Sequence, residues 1–485
     1  MTDWHHKPAT HLLNAMERKK VSSAELTAHF QNRFSQKNGD INAIVATNFE
    51  DATARARQAD EARARGENWG PLHGLPMTIK DALEVAGMPA VGGAPMWKDH
   101  RPAQNADAVQ RIIDAGAVIF GKTNVPFMSG DLQTYNDVYG TTNNPWDVSR
   151  VPGGSSGGAA AALAAGLTPL ELGSDIGGSI RTPAHFCGVF GHKPTYGIVP
   201  KRGHLPGPPG TLTESDLSVV GPLGLSANDL SLLLGIVAGP DKSKATGWQL
   251  CLPAPRTTSP KELRVAVWLD DPYCEIDKQS VDLITNAANA LKDAGAHVDF
   301  AARPDLTLAE ITETYLILLH SVTTLGMPEK VREKWRTQIA QAVPEDKSHE
   351  ILQARGGVIT HADWLGWNEI RAHINAKWET FFQSYDVVLA PTVVCPAFPH
   401  DQTRSWTKRK LEVNGKDRHY MDVLIWAGPA VLSYLPATVA PVGLTREGLP
   451  VGVQIIGPYL EDYTPIAVAG MIEELTGGFK APPGF

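Results

Sequence analysis

Two serines carry the clearest chemical signal in this chain. Ser155 lies in Gly153-Gly154-Ser155-Ser156-Gly157-Gly158, and Ser179 in Gly173-Ser174-Asp175-Ile176-Gly177-Gly178-Ser179-Ile180-Arg181. Each is entered through paired glycines, and 24 residues (179 − 155), many of them alanine, separate the two. Glycines at this density let a backbone approach a ligand closely and turn its N–H groups inward, as an oxyanion requires. Upstream, Gly74-Leu75-Pro76-Met77-Thr78-Ile79-Lys80-Asp81 ends an apolar run with a lysine. Together these pieces suggest a serine nucleophile activated by lysine rather than histidine.

A serine hydroxyl is a poor nucleophile until a neighbouring base takes its proton, and Ser-Lys pairs are one way of arranging this. Lysine is a base only when neutral, so its usual pKa of about 10.4 must fall, and desolvation lowers it. A fall to about 7.5 corresponds to about 4 kcal/mol against the charged form. If Leu75–Leu83 is a strand, Ile79 and Asp81 point away from the Lys80 face, so Asp81 need not neutralise the amine. A Gly/Ser stretch alone reads as a flexible loop, and a lone lysine as a solvated charge. The second Gly-Gly-Ser device argues against the loop reading, while the reading of Lys80 turns on the family resemblance given below.

Two further motifs match by pattern but not by context. Gly116–Thr123 fits the phosphate-loop spacing, yet its middle residues Ala117-Val118-Ile119-Phe120 read as a strand, and Pro126 restricts Val125 away from helical angles. Gly153–Gly157 fits the Gly-x-Ser-x-Gly nucleophile elbow, but turn-forming Asn143-Asn144-Pro145-Trp146-Asp147 stands where a hydrophobic strand should precede it. A Ser-His-Asp esterase would draw its histidine from His361, His400 or His419, and the sequence leaves that alternative open.

The elements that must position these residues follow an α/β pattern. Ser22 to Glu25 forms a capping box opening a helix through about Phe34, and Glu50–Arg65 and Ala106–Ala115 are further helices. Strands are expected at Leu75–Leu83, carrying Lys80, and at Ala117–Phe120. Ala159–Ala165 reads as a tightly packed helix between the two serines. Leu263–Trp268, Ser280–Ala294 and Ala296–Phe300 read as strand, helix and strand, an order that calls for parallel pairing. Val387–Pro391 and Val451–Ile456 are two more buried strands.

Composition sets the outer bounds. The 485 residues are 42% hydrophobic and 20% charged, enough for a large core. A net charge of −8 with scattered lysines and arginines speaks against a nucleic-acid surface. Cys187, Cys251, Cys274 and Cys395 are far apart, without metal spacing, and read as reduced thiols of a cytoplasmic protein. The histidines likewise read as structural. No targeting segment or membrane span is visible.

On these motifs the chain resembles the amidase signature family of serine hydrolases. The resemblance continues through Phe186–Thr195, Leu435–Thr438 and Gly448–Gly457 and covers nearly the whole chain, with residues about 300–430 the weakest part. It implies a single α/β domain over residues 1–485, its signature core at about 70–240, built on a twisted mixed β-sheet with helices on both faces. It further implies Ser179 as nucleophile, Ser155 as bridging serine after a cis peptide from Gly154, and Lys80 as base. The oxyanion hole would be the N–H groups of Ile176, Gly177, Gly178 and Ser179. Ser156, Thr182, Asp175 and Arg181 would support the loops, and the last two flank the nucleophile closely enough to pair. By position Met128 and Ser129, with Ser155, would touch substrate; the chain lacks the Glu-Phe that many relatives carry near Phe127-Met128. The implied reaction is amide hydrolysis through an acyl-serine with no cofactor and no metal. The expected partner is a small-molecule amide, neutral and lipophilic or aryl, with esters and carbamates also open; a homodimer is left open. The alternative within the family is a glutaminase of the amidotransferase kind, working in a tRNA-dependent complex.

Overall fold

The computed structural model describes residues 3–205 and 207–485. Its frame is a sheet of eleven strands, numbered here in chain order: β1 (Ile44–Thr47), β2 (Pro76–Lys80), β3 (Val118–Thr123), β4 (Leu170–Asp175), β5 (Phe190–Lys193), β6 (Val219–Gly224), β7 (Arg264–Val267), β8 (His297–Asp299), β9 (Val387–Pro391), β10 (Ala437–Leu444) and β11 (Pro450–Ile456). They lie in the order β1-β3-β2-β4-β6-β5-β10-β11-β9-β7-β8. β2 is parallel to both β3 and β4, and β7 to both β8 and β9, while the centre of the sheet is antiparallel. The sheet is therefore mixed, and the parallel pairing expected from the 263–300 segment is present.

Its central strands are buried because both faces are covered, and the polar residues they carry, Lys80 in β2, Lys122 in β3 and Glu171 and Asp175 in β4, are buried with them. Val265 and Val267 of β7 join one buried cluster, whereas Ala266 and Trp268 join another. Leu389 and Val388 of β9 divide the same way, as the two-residue period of a strand dictates. The expected capping box is present: Ser22 Oγ accepts from the Glu25 N–H at 3.1 Å, and Glu25 accepts from the Ser22 N–H at 2.7 Å. That helix, Ser23–Ile41, runs past Phe34. Its polar last turns are fixed by Asn38, whose side chain accepts from Ala43 and Ile44 N–H and donates to the Ile44 carbonyl. The strand after Gly116 also extends further than Ala117–Phe120. Gly121, Lys122 and Thr123 all lie in β3, so the phosphate-loop lysine is a buried strand residue whose amine donates to the carbonyl oxygen of Leu83.

Residues 300–430 form helices Leu308–Thr323, Glu329–Gln341, His349–Gly357 and His361–Phe381, then a hairpin of Lys410–Val413 with Lys416–His419. A short helical segment, Tyr420–Ala427, follows and leads into helix Gly428–Leu432. This part packs over the serine loops. Of its tryptophans, Trp378 and Trp426 are fully buried in the core, where Trp426 meets Trp268 edge to face. Trp364, Trp367 and Trp406 are half-buried against the same cluster.

Candidate active site

Lys80 ends β2 fully buried, and its Nζ reaches three hydroxyls: Ser155 Oγ at 2.7 Å, Ser156 Oγ at 2.9 Å and Ser174 Oγ at 3.0 Å. Burial pulls its pKa down to about 7, partly opposed by the negative charges of Asp175 and Glu171. Asp81, its neighbour in sequence, is not among the charges that act on it; Asp81 faces Lys122 instead. Lys80 is thus held where a neutral amine is populated near neutral pH.

The Gly154–Ser155 peptide is cis. A Cβ on Gly154 would stand 2.6 Å from the Asp131 carbonyl oxygen, so only glycine lets the 127–131 segment lie against the serine loop. Ser156 holds the two serine loops together, its N–H donating to the Ser179 carbonyl at 3.0 Å. Helix Gly157–Ala164 starts at once, two residues earlier than the expected Ala159. Ser179 is 6% exposed, against 0% for Lys80, which leaves the nucleophile candidate reachable from outside. The hydroxyls of Ser155 and Ser179 share no hydrogen bond in this structure.

Asp175, at the end of β4, organises the second loop. Its oxygens accept from the N–H of Gly178 at 2.9 Å and of Ile180 at 3.0 Å, and from Arg181 Nη2 at 2.8 Å. Desolvation pushes its pKa up, but the Arg181 guanidinium and these N–H groups outweigh it and hold the carboxyl at about 2. Arg181 in turn donates to the Ala427 carbonyl at 3.2 Å and to the Gln454 side chain. Gly178 (φ +94°) has its N–H committed to Asp175, which removes it from the expected oxyanion donors. The N–H groups of Ile176, Gly177 and Ser179 have no acceptor among the described residues. The carbonyl of Ile176 accepts from Tyr315 Oη at 3.0 Å. Within one peptide plane C=O and N–H point in opposite directions, so that bond aims the Gly177 N–H away from Tyr315. Thr182 donates its N–H to the Gly178 carbonyl at 2.7 Å, while its Oγ1 is buried without a partner.

Met128 and Ser129 both adopt left-handed backbone angles (φ +50° and +53°), and Ser129 Oγ has no partner. Their loop is clasped through Asp131 by Arg409 Nη1 at 2.6 Å and by Tyr420 Oη at 2.5 Å. The aromatic Phe127 beside them is 48% exposed. None of His361, His400 and His419 hydrogen-bonds to either serine: His361 stacks on Trp364, His400 donates its N–H to the Ser149 carbonyl, and His419 pairs with Glu350. The histidines have no metal spacing along the chain, but the fold brings His349, His419 and Asp422 together. There Arg418 occupies one Asp422 oxygen at 2.7 Å, and no member of the group touches the serines or Lys80.

Sequence reading missed Ser174, Glu171, Tyr315 and Gln454. Glu171 shares a face of β4 with Asp175, so the strand period could have flagged it, and Ser174 stands beside Asp175 in the motif itself; nothing local marks Tyr315 or Gln454, which arrive from 139 (315 − 176) and 273 (454 − 181) residues away.

On this mixed sheet the glycine-entered loop of Ser155 and Ser156, together with Ser174 of β4, surrounds a buried lysine, with the Ser179 loop tied to the first through the Ser156 N–H. The Amidase family model matches residues 25–465, and the chain belongs to that family of enzymes acting on C–N bonds. It is 32% identical over 489 residues to the A subunit of the glutamyl-tRNA(Gln) amidotransferase of Geobacillus thermodenitrificans (strain NG80-2), covering 96% of this chain and 97% of that one. Among solved structures it is similar to 6-aminohexanoate cyclic dimer hydrolase, with a TM-score of 0.80, 26% identity and 99% of each chain covered. It also shares the fold of a bacterial aryl acylamidase of the amidase signature family, with a TM-score of 0.79, 23% identity and coverage of 97% and 96%. Among the described residues no helix is long and apolar enough to cross a membrane.

Proposed function

We propose that the chain is an amidase that hydrolyses small neutral amides through an acyl-Ser179 intermediate. The observation that carries this reading is the fully buried Lys80 amine, 2.7 Å from Ser155 Oγ and held near a pKa of about 7. Neutral Lys80 takes the proton of Ser155 as Ser155 takes that of Ser179, and Ser179 Oγ bonds to the amide carbon. The Ser179–Ser155 link closes when substrate orients the nucleophile, since catalytic hydrogen bonds often tighten only in the complex. The oxyanion is met by the free N–H groups of Ile176, Gly177 and Ser179. The C–N bond then breaks, and the proton on Lys80 returns through Ser155 to the leaving amine. Water repeats the sequence on the ester, releasing the carboxylic acid and restoring Ser179.

The substrate class rests on Phe127 and Met128, apolar where many relatives carry a more polar segment and three to four residues before Asp131, whose carbonyl lies against Gly154; they favour a neutral lipophilic or aryl amide. The tryptophans add nothing to this, because Trp378 and Trp426 are core. A second reading, glutaminase within a tRNA-dependent amidotransferase complex, is favoured by the full-length similarity to the amidotransferase relatives. The two separate on the purified chain alone. Anilide hydrolysis without partners, exceeding glutaminase activity by more than about tenfold (about 1.4 kcal/mol in transition-state binding), is the expected result. Glutaminase activity appearing only with partner subunits would overturn it.

A further inference from the structure

The fold gathers a further group of metal-ligating side chains away from the serines. Asp3 and His5 stand before the first helix, and His29 lies on helix Ser23–Ile41. A separation of 24 residues (29 − 5) hides the group from a search along the chain. In the structure one carboxylate oxygen of Asp3 and one ring nitrogen of each histidine lie within 4.8 Å of one another. His5 Nδ1 rests against Asp3 Oδ1. The two imidazoles are nearly parallel, 16° apart, with ring centres separated by 5.6 Å. That is too far for face-to-face contact. It is close to what two imidazoles on one tetrahedral ion require, their nitrogens about 2.0–2.1 Å from the ion and hence about 3.4 Å from each other.

Both rings are free to act as ligands. His29 Nε2 is buried with no hydrogen-bond partner among the described residues. His5 Nε2 and His29 Nδ1 bond to no described group either, so each ring can take the tautomer that a metal needs. Burial and the charge of Arg33 lower the His5 pKa to about 4, and burial lowers that of His29. Both are therefore neutral lone-pair donors near pH 7, the form that ligates. His349, His419 and Asp422 are a poorer set. His419 Nδ1 accepts from the Met421 N–H at 3.1 Å, which leaves its proton on the Nε2 that faces Glu350, and Arg418 holds Asp422.

Asp3 and Arg33 bring opposite charges to the group, and their placement decides the sign of the occupant. Asp3 Oδ1 touches His5, and the Asp3 side chain is exposed, so an ion enters from its side. Arg33, one turn on from His29, is buried and turns Nη2 to the Ala165 carbonyl at 2.7 Å. An anion at the same point would meet the Asp3 carboxylate and two neutral rings. The donors face one another, so a cation takes the place of their mutual contacts and no open cavity is needed.

We propose that Asp3, His5 and His29 form a site for one divalent transition-metal ion of the zinc, cobalt and nickel kind, with water completing the coordination, separate from the serine–lysine centre. Imidazole with carboxylate suits these ions. His6 Nε2, 3.2 Å from the Ala164 carbonyl, and Arg33 already hold this corner to the end of helix Gly157–Ala164, the helix that opens at the Ser155–Ser156 loop. The ion ties the segment before Ala9 to helix Ser23–Ile41 beside that end. The site does not depend on the acyl-enzyme reading, because binding is measured without turnover.

Titration of the full, untagged and metal-free chain with Co²⁺, followed by its visible absorption and then by displacement with Zn²⁺, tests the proposal. One ion per chain is expected. His5→Ala and His29→Ala should each weaken binding by about tenfold or more, a loss that even an outer-shell partner of a metal can cause. Arg33→Met removes a like charge and should tighten it by about threefold or more. His349→Ala should bind as the unaltered chain does. Circular dichroism checks that the variants fold. In the unaltered chain, Zn²⁺ should also protect His5 and His29 from diethyl pyrocarbonate, read by peptide mapping. No saturable binding of either ion, or binding lost in His349→Ala and kept in His29→Ala, would overturn the proposal. So would saturable binding of inorganic phosphate that Arg33→Met abolishes, which would make the group an anion site.

Discussion

Lys80 should impose a single rising limb on the pH profile of amide hydrolysis, with a midpoint near 7. Burial moves its pKa from 10.5 to about 7. That difference of about 3.5 units, at 1.36 kcal/mol each, is about 5 kcal/mol against the charged amine. With a midpoint of 7, the neutral fraction rises from about 9% at pH 6 to about 91% at pH 8, so kcat/KM should grow about tenfold and then level off. An ordinary lysine would be only about 0.3% neutral at pH 8, and the rate would climb about a hundredfold over the same interval without levelling. Initial rates on an anilide from pH 5.5 to 10 at constant ionic strength distinguish the two. Glu171 and Asp175 both favour the charged amine, so Glu171→Gln should shift the limb to lower pH. The same depression makes stability depend on pH. The folded state binds fewer protons than the unfolded chain between about 7 and 10.5, so Lys80's destabilising contribution is full below 7 and fades as pH rises through that window. A rate that keeps climbing log-linearly to pH 10, or no limb at all, would refute a buried, depressed lysine as the base.

Tyr315→Phe removes the hydroxyl that fixes the Ile176 carbonyl; kcat should fall by about tenfold or more with KM little changed, because losing an oxyanion donor outright costs about a hundredfold to a thousandfold. A parallel loss in both parameters, or none, would deny Tyr315 a positioning role. Asp175→Asn leaves Arg181 charged and buried without its partner, so urea unfolding should show about 3–5 kcal/mol less stability, and an unchanged midpoint would contradict the pairing. Asp175 is held at about 2 against an ordinary 3.8, so its stabilisation of about 2–3 kcal/mol is present above pH 3.8 and is lost as pH falls through 2. Hydroxylamine added to an amide substrate should divert the acyl group to a hydroxamate, with partitioning independent of the leaving amine; its absence at every concentration would argue against an accessible acyl-enzyme.

What the sequence made legible was local. Paired glycines beside Ser155 and Ser179 and the strand ending in Lys80 are contiguous patterns with a direct chemical meaning, and the sheet strands at 263–268, 296–300, 387–391 and 451–456 are short apolar runs. Residues 300–430 carried no comparable signal, because their helices pack mainly on one another and on the core, and reach the Ser179 loop through single residues such as Tyr315 and Ala427 rather than through a motif. Tyr315, Arg409 and Tyr420 matter through the backbone and carboxylate groups they reach, and those pairings exist only after folding. Gly178 shows the limit in the other direction. Its type and place suited an oxyanion donor, but the neighbouring Asp175 carboxylate competes for its N–H and wins by being charged and 2.9 Å away.

The most direct test is the site of covalent modification. Treatment of the purified chain with an alkyl fluorophosphonate, followed by peptide mapping by mass spectrometry, should place one adduct on Ser179. Ser179→Ala should neither label nor turn over amides while keeping its circular dichroism. An adduct on Ser155 together with an active Ser179→Ala variant would contradict the assignment of the nucleophile and, with it, the relay from Lys80.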